Sequence, residues 1–563
     1  MTLKLQRDFE AVTKNFRKMN PGLYALFLLP VFSAAAFAQQ SEFGVLASGG
    51  ALSANEAKYD VKYYELNLKI NPAQKFLSGH VEVRLACVAP AMDTLEIDLV
   101  NAFTVSKIER DGQALAFTHR EHKIKAPLAN RLAQNQSAVF RIHYTGPPPV
   151  AARPPWQGGF NWSTDQNGKP WVGVSCQGEG GKIWWPCKDH PGDEPDSVAL
   201  NITIPDSLYC AANGLLEAIS IPEKGWKTFH WKTRYPVNNY NVSINLGDYA
   251  VVQRPYRSAH GEMNIVFYVL KQDSAKAPAL VEMAEEFLHF YGRYFGEYPW
   301  SKEKFGLAHT DYLGMEHQTI NAYGNHFRSN AQGYDGLMLH EMGHEWWGNY
   351  VTVRDWADFW IHEGICSYAE ALFVQDKFGM EAYHKYVEEN LRPRIRNQQP
   401  IVPKRDATTS ETYNSDIYAK AAVVLHTLRY LIGEKLLLDI LKTFATNPAY
   451  TLHRRVVSQD FIDLVKRKSG RDLSWFFQQY LFTAAPPTLE YKIKRGDGKT
   501  LLELRWREQD FKLPVEVRLQ TGELATTKRY EVTSKQRHYF LRGDAQIEID
   551  PQGWILMNAV EIK

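Results

Sequence analysis

The chain has 563 residues, 44% of them hydrophobic, and 65 Lys and Arg against 63 Asp and Glu leave a net charge of +2. A chain this long exceeds what one core supports and divides into roughly three or four domains. Its balanced charge gives no electrostatic case for nucleic acid or an anionic membrane as partner. The five cysteines (Cys87, Cys176, Cys187, Cys210 and Cys366) are few and odd in number, which excludes complete intramolecular pairing and any disulfide framework. One bridge among Cys176, Cys187 and Cys210 stays open, but buried free thiols are expected.

Lys14, Arg17 and Lys18 precede an apolar run over residues 23–38, and Ala36-Phe37-Ala38 before Gln39 has the small-x-small form of a secretory cleavage site. Residues 1–38 therefore read as a signal peptide and 39–58 as a linker, and the protein as exported, periplasmic or secreted. Pro30 interrupts the apolar run, which is shorter than the roughly 20 residues that span a bilayer. No stable membrane insertion is expected once it is removed. Residues 59–254 are short alternating segments such as 63–70 and 80–85, separated by Pro, Gly, Asn and Asp, the pattern of antiparallel strands with one wet face. From 255 to 483 helical spacing takes over. Leu280, Met283, Phe287, Leu288 and Tyr291 mark one helix, and others are expected over 334–350, 357–378 and 421–432. Ala484-Ala485-Pro486-Pro487 marks a boundary, after which alternating segments make 484–563 a small β-sandwich. The basic run of Arg392, Arg394 and Arg396 reads as a solvated helix end.

Chemistry concentrates in His340-Glu341-Met342-Gly343-His344, with Glu363 placed after 18 intervening residues. Side chains four apart share a helix face, so both imidazoles reach one ion. Three protein ligands leave zinc's fourth position open, the arrangement of a catalytic site. Glu341, beside the first ligand, is the natural general base.

Beyond the second histidine the sequence runs Trp346-Trp347-Gly348-Asn349-Tyr350-Val351-Thr352, then Trp356, Trp360 and Glu363-Gly364. This closely resembles the gluzincin metallopeptidase family that includes aminopeptidase N and the leukotriene hydrolases. That family carries Trp-x-Gly-Asn-x-Val-Thr and a Trp-x-x-x-Trp-x-x-Glu-Gly ligand helix at these places. The resemblance implies an α+β multidomain fold: a β-rich N-terminal saddle domain, a thermolysin-like α/β catalytic domain and a C-terminal β-sandwich. The large C-terminal helical domain of longer members is not expected, which implies an open cleft tolerant of longer peptides. It also implies one Zn²⁺ per chain, held by His340, His344 and Glu363, and peptide substrates with a free N-terminus.

Gly314-Met315-Glu316 is similar to the family's Gly-x-Met-Glu-Asn segment, whose glutamate binds the substrate's α-ammonium; here Leu313 precedes it and His317 replaces the Asn. Tyr418 looks like the family's oxyanion tyrosine. Gln177, nine residues before Pro186-Cys187, matches its Gln or Glu at the substrate's amino end. Glu345 and Glu370 are candidate carboxylates behind the ligating histidines. The reading is thus a zinc aminopeptidase, with a thermolysin-like endopeptidase or a non-catalytic peptide-binding module as alternatives. Ser410, eight residues before Tyr418, stands where the leukotriene branch has the aspartate of its epoxide hydrolysis, so that activity is not expected.

Overall fold

Alternation builds the first strand, Tyr59–Asn71, and a bulge between Val61 and Tyr63 resets its phase. Val61 and Tyr64 consequently both point inward, and Leu66, Leu68 and Ile70 follow on the same buried face. The computed structural model describes residues 46–496, 499–521, 523–542 and 545–562. The expected signal peptide over 1–38 lies outside the described residues.

Tyr59–Asn71 is central to an eight-stranded sheet, parallel to Ser197–Pro205 and antiparallel to Phe76–Cys87. A four-stranded sheet is ordered Tyr209–Ala212, Ile244–Gly247, Pro170–Ser175 and Gly159–Thr164. The loop after Pro170–Ser175 carries Gln177. Lys188 pins a later part of this loop region: its Nζ bonds Tyr59 O at 2.7 Å and pairs with Asp193 at 2.7 Å, both side chains being buried.

A mixed five-stranded sheet follows, ordered Tyr249–Ser258, Gly261–Leu270, Lys304–His309, Asn321–Tyr323 and Gly314–Met315. Tyr249–Ser258 runs through the expected domain boundary at 254. It pairs with Gly261–Leu270 as a hairpin. Helix α1, Ala277–Phe295, buries Leu280, Phe287, Leu288 and Tyr291, as its spacing predicts. Helix α2 is Gly336–Gly343, shorter than the expected 334–350. Asp335 caps its start by accepting from Met338 N at 3.1 Å, and the chain turns away at Gly348, whose φ is +130°. His344 keeps helical torsions as the C-cap, so the i, i+4 relation to His340 survives. Helix α3, Trp360–Tyr386, is interrupted at Gly379, whose φ of +86° and ψ of 179° are not helical, so its first stretch ends at the expected 378.

Helix α4, Ala419–Ile432, packs against α3 where Gly364 faces Ala421; a Cβ on Gly364 would overlap the Ala421 methyl. That close approach seats the start of α4 beside Glu363. The C-terminal strands form two sheets, one of Arg537–Arg542, Lys499–Trp506, Thr488–Gly496 and Asn558–Glu561, the other of Leu524–Tyr530, Val515–Thr521 and Gln546–Ile549. Leu489, Leu502, Leu504, Trp506, Val515 and Val517 are fully buried among them. The basic run is not simply solvated: Arg392 donates to Gly553 O and Ile555 O, tying the end of α3 to this region. All five cysteines are buried free thiols. No helix among the described residues is long and apolar enough to cross a membrane.

Lys188→Met strands the Asp193 carboxylate in the interior and is expected to cost about 3–5 kcal/mol, whereas adding Asp193→Leu restores most of the loss. Urea unfolding followed by tryptophan fluorescence checks both.

Candidate active site

Three lone pairs converge on one point between α2 and α3. His340 Nδ1 faces Glu370 Oε1 at 2.7 Å, and His344 Nδ1 faces the Trp347 carbonyl at 2.8 Å. Both partners are acceptors, so each ring turns its Nε2 inward. The two Nε2 atoms lie 3.2 Å apart, and Glu363 Oε2 lies 3.2 Å from His344 Nε2 and 3.5 Å from His340 Nε2. Glu363 is buried and its Oε2 has no hydrogen-bond donor. Ligand atoms at zinc's usual ~2.05 Å and tetrahedral angles stand about 3.3 Å apart, which this triangle matches. The three residues fit a zinc ion, and only a cation satisfies all three acceptors at once.

Of the two carboxylates expected behind the histidines, Glu370 takes that place and is itself held by the Tyr386 hydroxyl. Glu345 does not. It accepts from Thr319 N and Asn321 Nδ2 on one oxygen (both 3.0 Å) and from Trp300 Nε1 (2.7 Å) and Asn349 Nδ2 (3.3 Å) on the other. It lies past the end of α2 and is not among the residues lining the cleft. There it braces the segment that follows Glu316, with help from Asn349 Nδ2, which donates to Glu316 O at 2.9 Å.

The ion site opens into a cleft of 570 Å³ whose lining includes Gln177, Gly314, Met315, Glu316, Glu341 and Tyr418. Glu316, Glu341 and His344 each bring one ligand-type atom within 4.8 Å of the others. Gly314 makes room for this: a Cβ there would sit 2.5 Å from Glu341 Oε1. Burial pushes the Glu341 carboxyl up to about 8, and burial raises Glu316 as well. A cation on the three ligands would favour both carboxylates in their charged form. Glu316 Oε1 accepts from Gln177 Nε2 at 2.5 Å and from Tyr240 Oη at 2.9 Å. Gln177 Nε2 also reaches Glu363 Oε1 at 3.3 Å, joining the carboxylate wall to the ion site.

Tyr418 stacks on His340 with ring centroids 6.1 Å apart, and its hydroxyl lies 2.7 Å from that of Tyr413. Burial first, then the Glu363 carboxylate, holds the Tyr418 phenol well above its ordinary range, so it is protonated and able to donate. Its own backbone (φ −89°, ψ −80°) is the non-helical lead into α4.

His317, in the place of the family's Asn, is fully buried, and neither ring nitrogen has a hydrogen-bond partner. Burial lowers it to about 3, so the ring is neutral. Ser410 hydrogen-bonds with Thr408 and is not among the residues lining the cleft. Sequence reasoning missed Tyr240 and Tyr413, which touch the site directly; both lie outside the metal motif and no local pattern singles them out. It also missed Arg153, Trp156 and Arg394 on the cleft wall.

The chain is similar to known proteins in both sequence and fold. The model described as Peptidase family M1 domain matches residues 280–480, and the Peptidase M1 N-terminal domain matches 60–240. Aminopeptidase B of Mus musculus is 24% identical over 354 residues, covering 59% of this chain and 52% of its own length. Aminopeptidase N of Canis lupus familiaris is 24% identical over 385 residues, covering 62% and 36%. The chain thus spans about half the length, or less, of these relatives. Among solved structures, an M1 zinc metallopeptidase mutant from Deinococcus radiodurans has a TM-score of 0.64 at 22% identity, covering 78% of this chain and 98% of its own. The mutant bound to a Tyr-Ser-Ala substrate has a TM-score of 0.63 at 21% identity, with the same coverage. With both family models matched in order across the β-rich and the zinc-ligating regions, the chain belongs to peptidase family M1.

Proposed function

We propose that the protein is a zinc aminopeptidase that removes the N-terminal residue from peptides. The observation that carries this is the buried Glu316 carboxylate beside the ion site, clamped by Gln177 and Tyr240 and within 4.8 Å of a His344 ligand-type atom. In one amino-acid residue the α-nitrogen and the carbonyl oxygen are roughly 3 Å apart. An ammonium on Glu316 therefore presents the first peptide carbonyl, and no later one, to the ion site. An internal peptide segment brings no cation and would leave Glu316 desolvated without a partner. The names of the aminopeptidase B and N relatives, and the tripeptide bound to the Deinococcus radiodurans protein, support the same reading.

His340, His344 and Glu363 would hold the zinc ion, which when bound supplies Lewis acidity that makes water more acidic and a carbonyl more electrophilic. Glu341 accepts a proton from the attacking water and returns it to the departing amine. Glu316 and Gln177 hold the α-ammonium, with Gly314 and Met315 forming the adjoining wall. Tyr418 donates a hydrogen bond from its hydroxyl to the carbonyl oxygen as charge develops there, and Tyr413 orients that hydroxyl. The thermolysin-like character of the catalytic region belongs to this proposal and is supported by the order of sheet, α2, ligand helix α3 and α4.

Aminoacyl substrates with a free α-amine are expected to be cleaved, and their N-acetyl counterparts not, with activity lost to a chelator and restored by zinc. Equal cleavage of both series would make the protein an endopeptidase. Glu341→Gln should lower kcat by about 10²–10⁴ and Tyr418→Phe by about 10²–10³, each with zinc content unchanged by metal analysis. A kcat within threefold of the parent in either variant contradicts its assigned role.

Export to the periplasm or the medium is part of the proposal, supported by the cationic and apolar order of residues 14–38 and by Ala36-Phe37-Ala38. N-terminal sequencing of the exported protein should begin at Gln39, and an intact Met1 would refute it.

A further inference from the structure

The first described residues pass through the interior, where Ala47 and Ser48 are buried. Ser48 N donates to Gly178 O at 2.9 Å, Ser48 O accepts from Thr409 N at 3.0 Å, and Gly50 N donates to Ala407 O at 3.1 Å. Gly49 makes an antiparallel bridge with Thr408. Lys182 Nζ, paired with Asp189 at 2.7 Å, donates to Ala47 O at 3.0 Å, and Ser48 Oγ reaches Asp189 at 3.3 Å. Gly49 has φ +83° and lies flat on the Trp356 indole: a Cβ there would overlap Cδ1 and come within 2.9 Å of Nε1.

Three of these contacts lead to groups that line the cleft. Gly178 adjoins Gln177. Trp356 packs on Tyr240 with ring centroids 5.8 Å apart, and Tyr240 donates to Glu316. Thr409, whose hydroxyl also donates to Gly178 O, opens the turn that leads to Tyr413 and Tyr418. Loop and turn are 231 residues apart in sequence, and residues 47–50 fill the space between them with backbone hydrogen bonds on both sides.

We propose that residues 47–50 are a positioning strap that fixes Gln177 and Glu316 against each other, and so sets how strictly the cleft demands a free α-ammonium. The proposal rests on Glu316 and Gln177 being the ammonium anchor. Recognition by a few aimed hydrogen bonds is sensitive to misplacement by an ångström. A strap pushed off Trp356 frees both the Gln177 loop and the Tyr240 ring; Trp356 also packs on His362 beside Glu363, with ring centroids 6.1 Å apart, so zinc content reports whether the ion ligands move with them.

The test uses the full chain with Gly49→Val, Gly49→Ala and Ser48→Ala. For each, kcat and KM are measured on a free-amine aminoacyl substrate and on its des-amino counterpart, together with zinc content and the thermal midpoint. The ratio of the two kcat/KM values is independent of how much of a preparation is folded. Gly49→Val is expected to lower that ratio at least tenfold, chiefly by raising KM for the free-amine substrate, with one zinc per chain retained. Gly49→Ala, the smaller intrusion, should fall between it and the parent and supplies the reading where valine blocks folding. Ser48→Ala keeps the backbone bonds and should change the ratio less than threefold. A lowered thermal midpoint with an unchanged ratio in the Gly49 variants would make the segment structural only and overturn the strap. A parent ratio near one would instead remove the ammonium anchor, and the strap with it.

Discussion

One buried oxygen organises the catalytic region. Glu363 Oε2 sits in the interior with no hydrogen-bond donor, flanked by two imidazole nitrogens that also point acceptors at it. Such a cluster is unfavourable by itself, since burying acceptors without donors costs several kcal/mol. The surrounding fold is what holds it together. Asp335 fixes the start of α2, the Trp347 carbonyl and Glu370 fix the two rings, and the glycine at 364 lets α4 come close enough to bring Tyr418 over His340. A cation turns this strained arrangement into a satisfied one, so metal binding and local folding are coupled here.

The same economy explains the two kinds of carboxylate around the ion. Glu345 has donors on both oxygens and points away from the cleft, where it fixes backbone. Glu316 and Glu341 face the cleft and are left with room for ligand, Glu341 because residue 314 has no side chain. Glu341 follows His340 inside α2 whereas Glu345 follows His344 past the end of the helix, and the two acquire opposite duties from the direction each faces, not from their chemistry.

Much of this was legible in the sequence for a physical reason. Helical periodicity is local, so the pairing of His340 with His344 could be read from spacing, as could the apolar face of α1 and the alternation of Tyr59–Asn71. Helix ends were less legible. α2 ends at Gly343, short of the expected 350, whereas the first stretch of α3 ends at Gly379 as its spacing predicts. Glu316, Gln177 and Tyr418 came from resemblance to a family, because their proximity depends on contacts between residues 139 and 186 positions apart. Tyr240, Tyr413 and residues 47–50 carried no motif at all. Their places follow from how sheets and loops dock, which alternation patterns do not encode.

The segment beneath Trp356 also bears on the order in which the molecule assembles. Ser48 and Thr409 are 361 residues apart in sequence, and the bonds between them close one of the longest loops in the chain. During synthesis residue 48 emerges early, yet its partner Thr409 does not exist until more than 350 residues later. The wall that would grip a peptide's amino end is therefore finished only after the ion-ligating helices have been made. On the reading proposed above, the wall for a peptide's amino end closes only when residues 47–50 and Thr409 have both been made and brought together, at the entropic cost of that long loop.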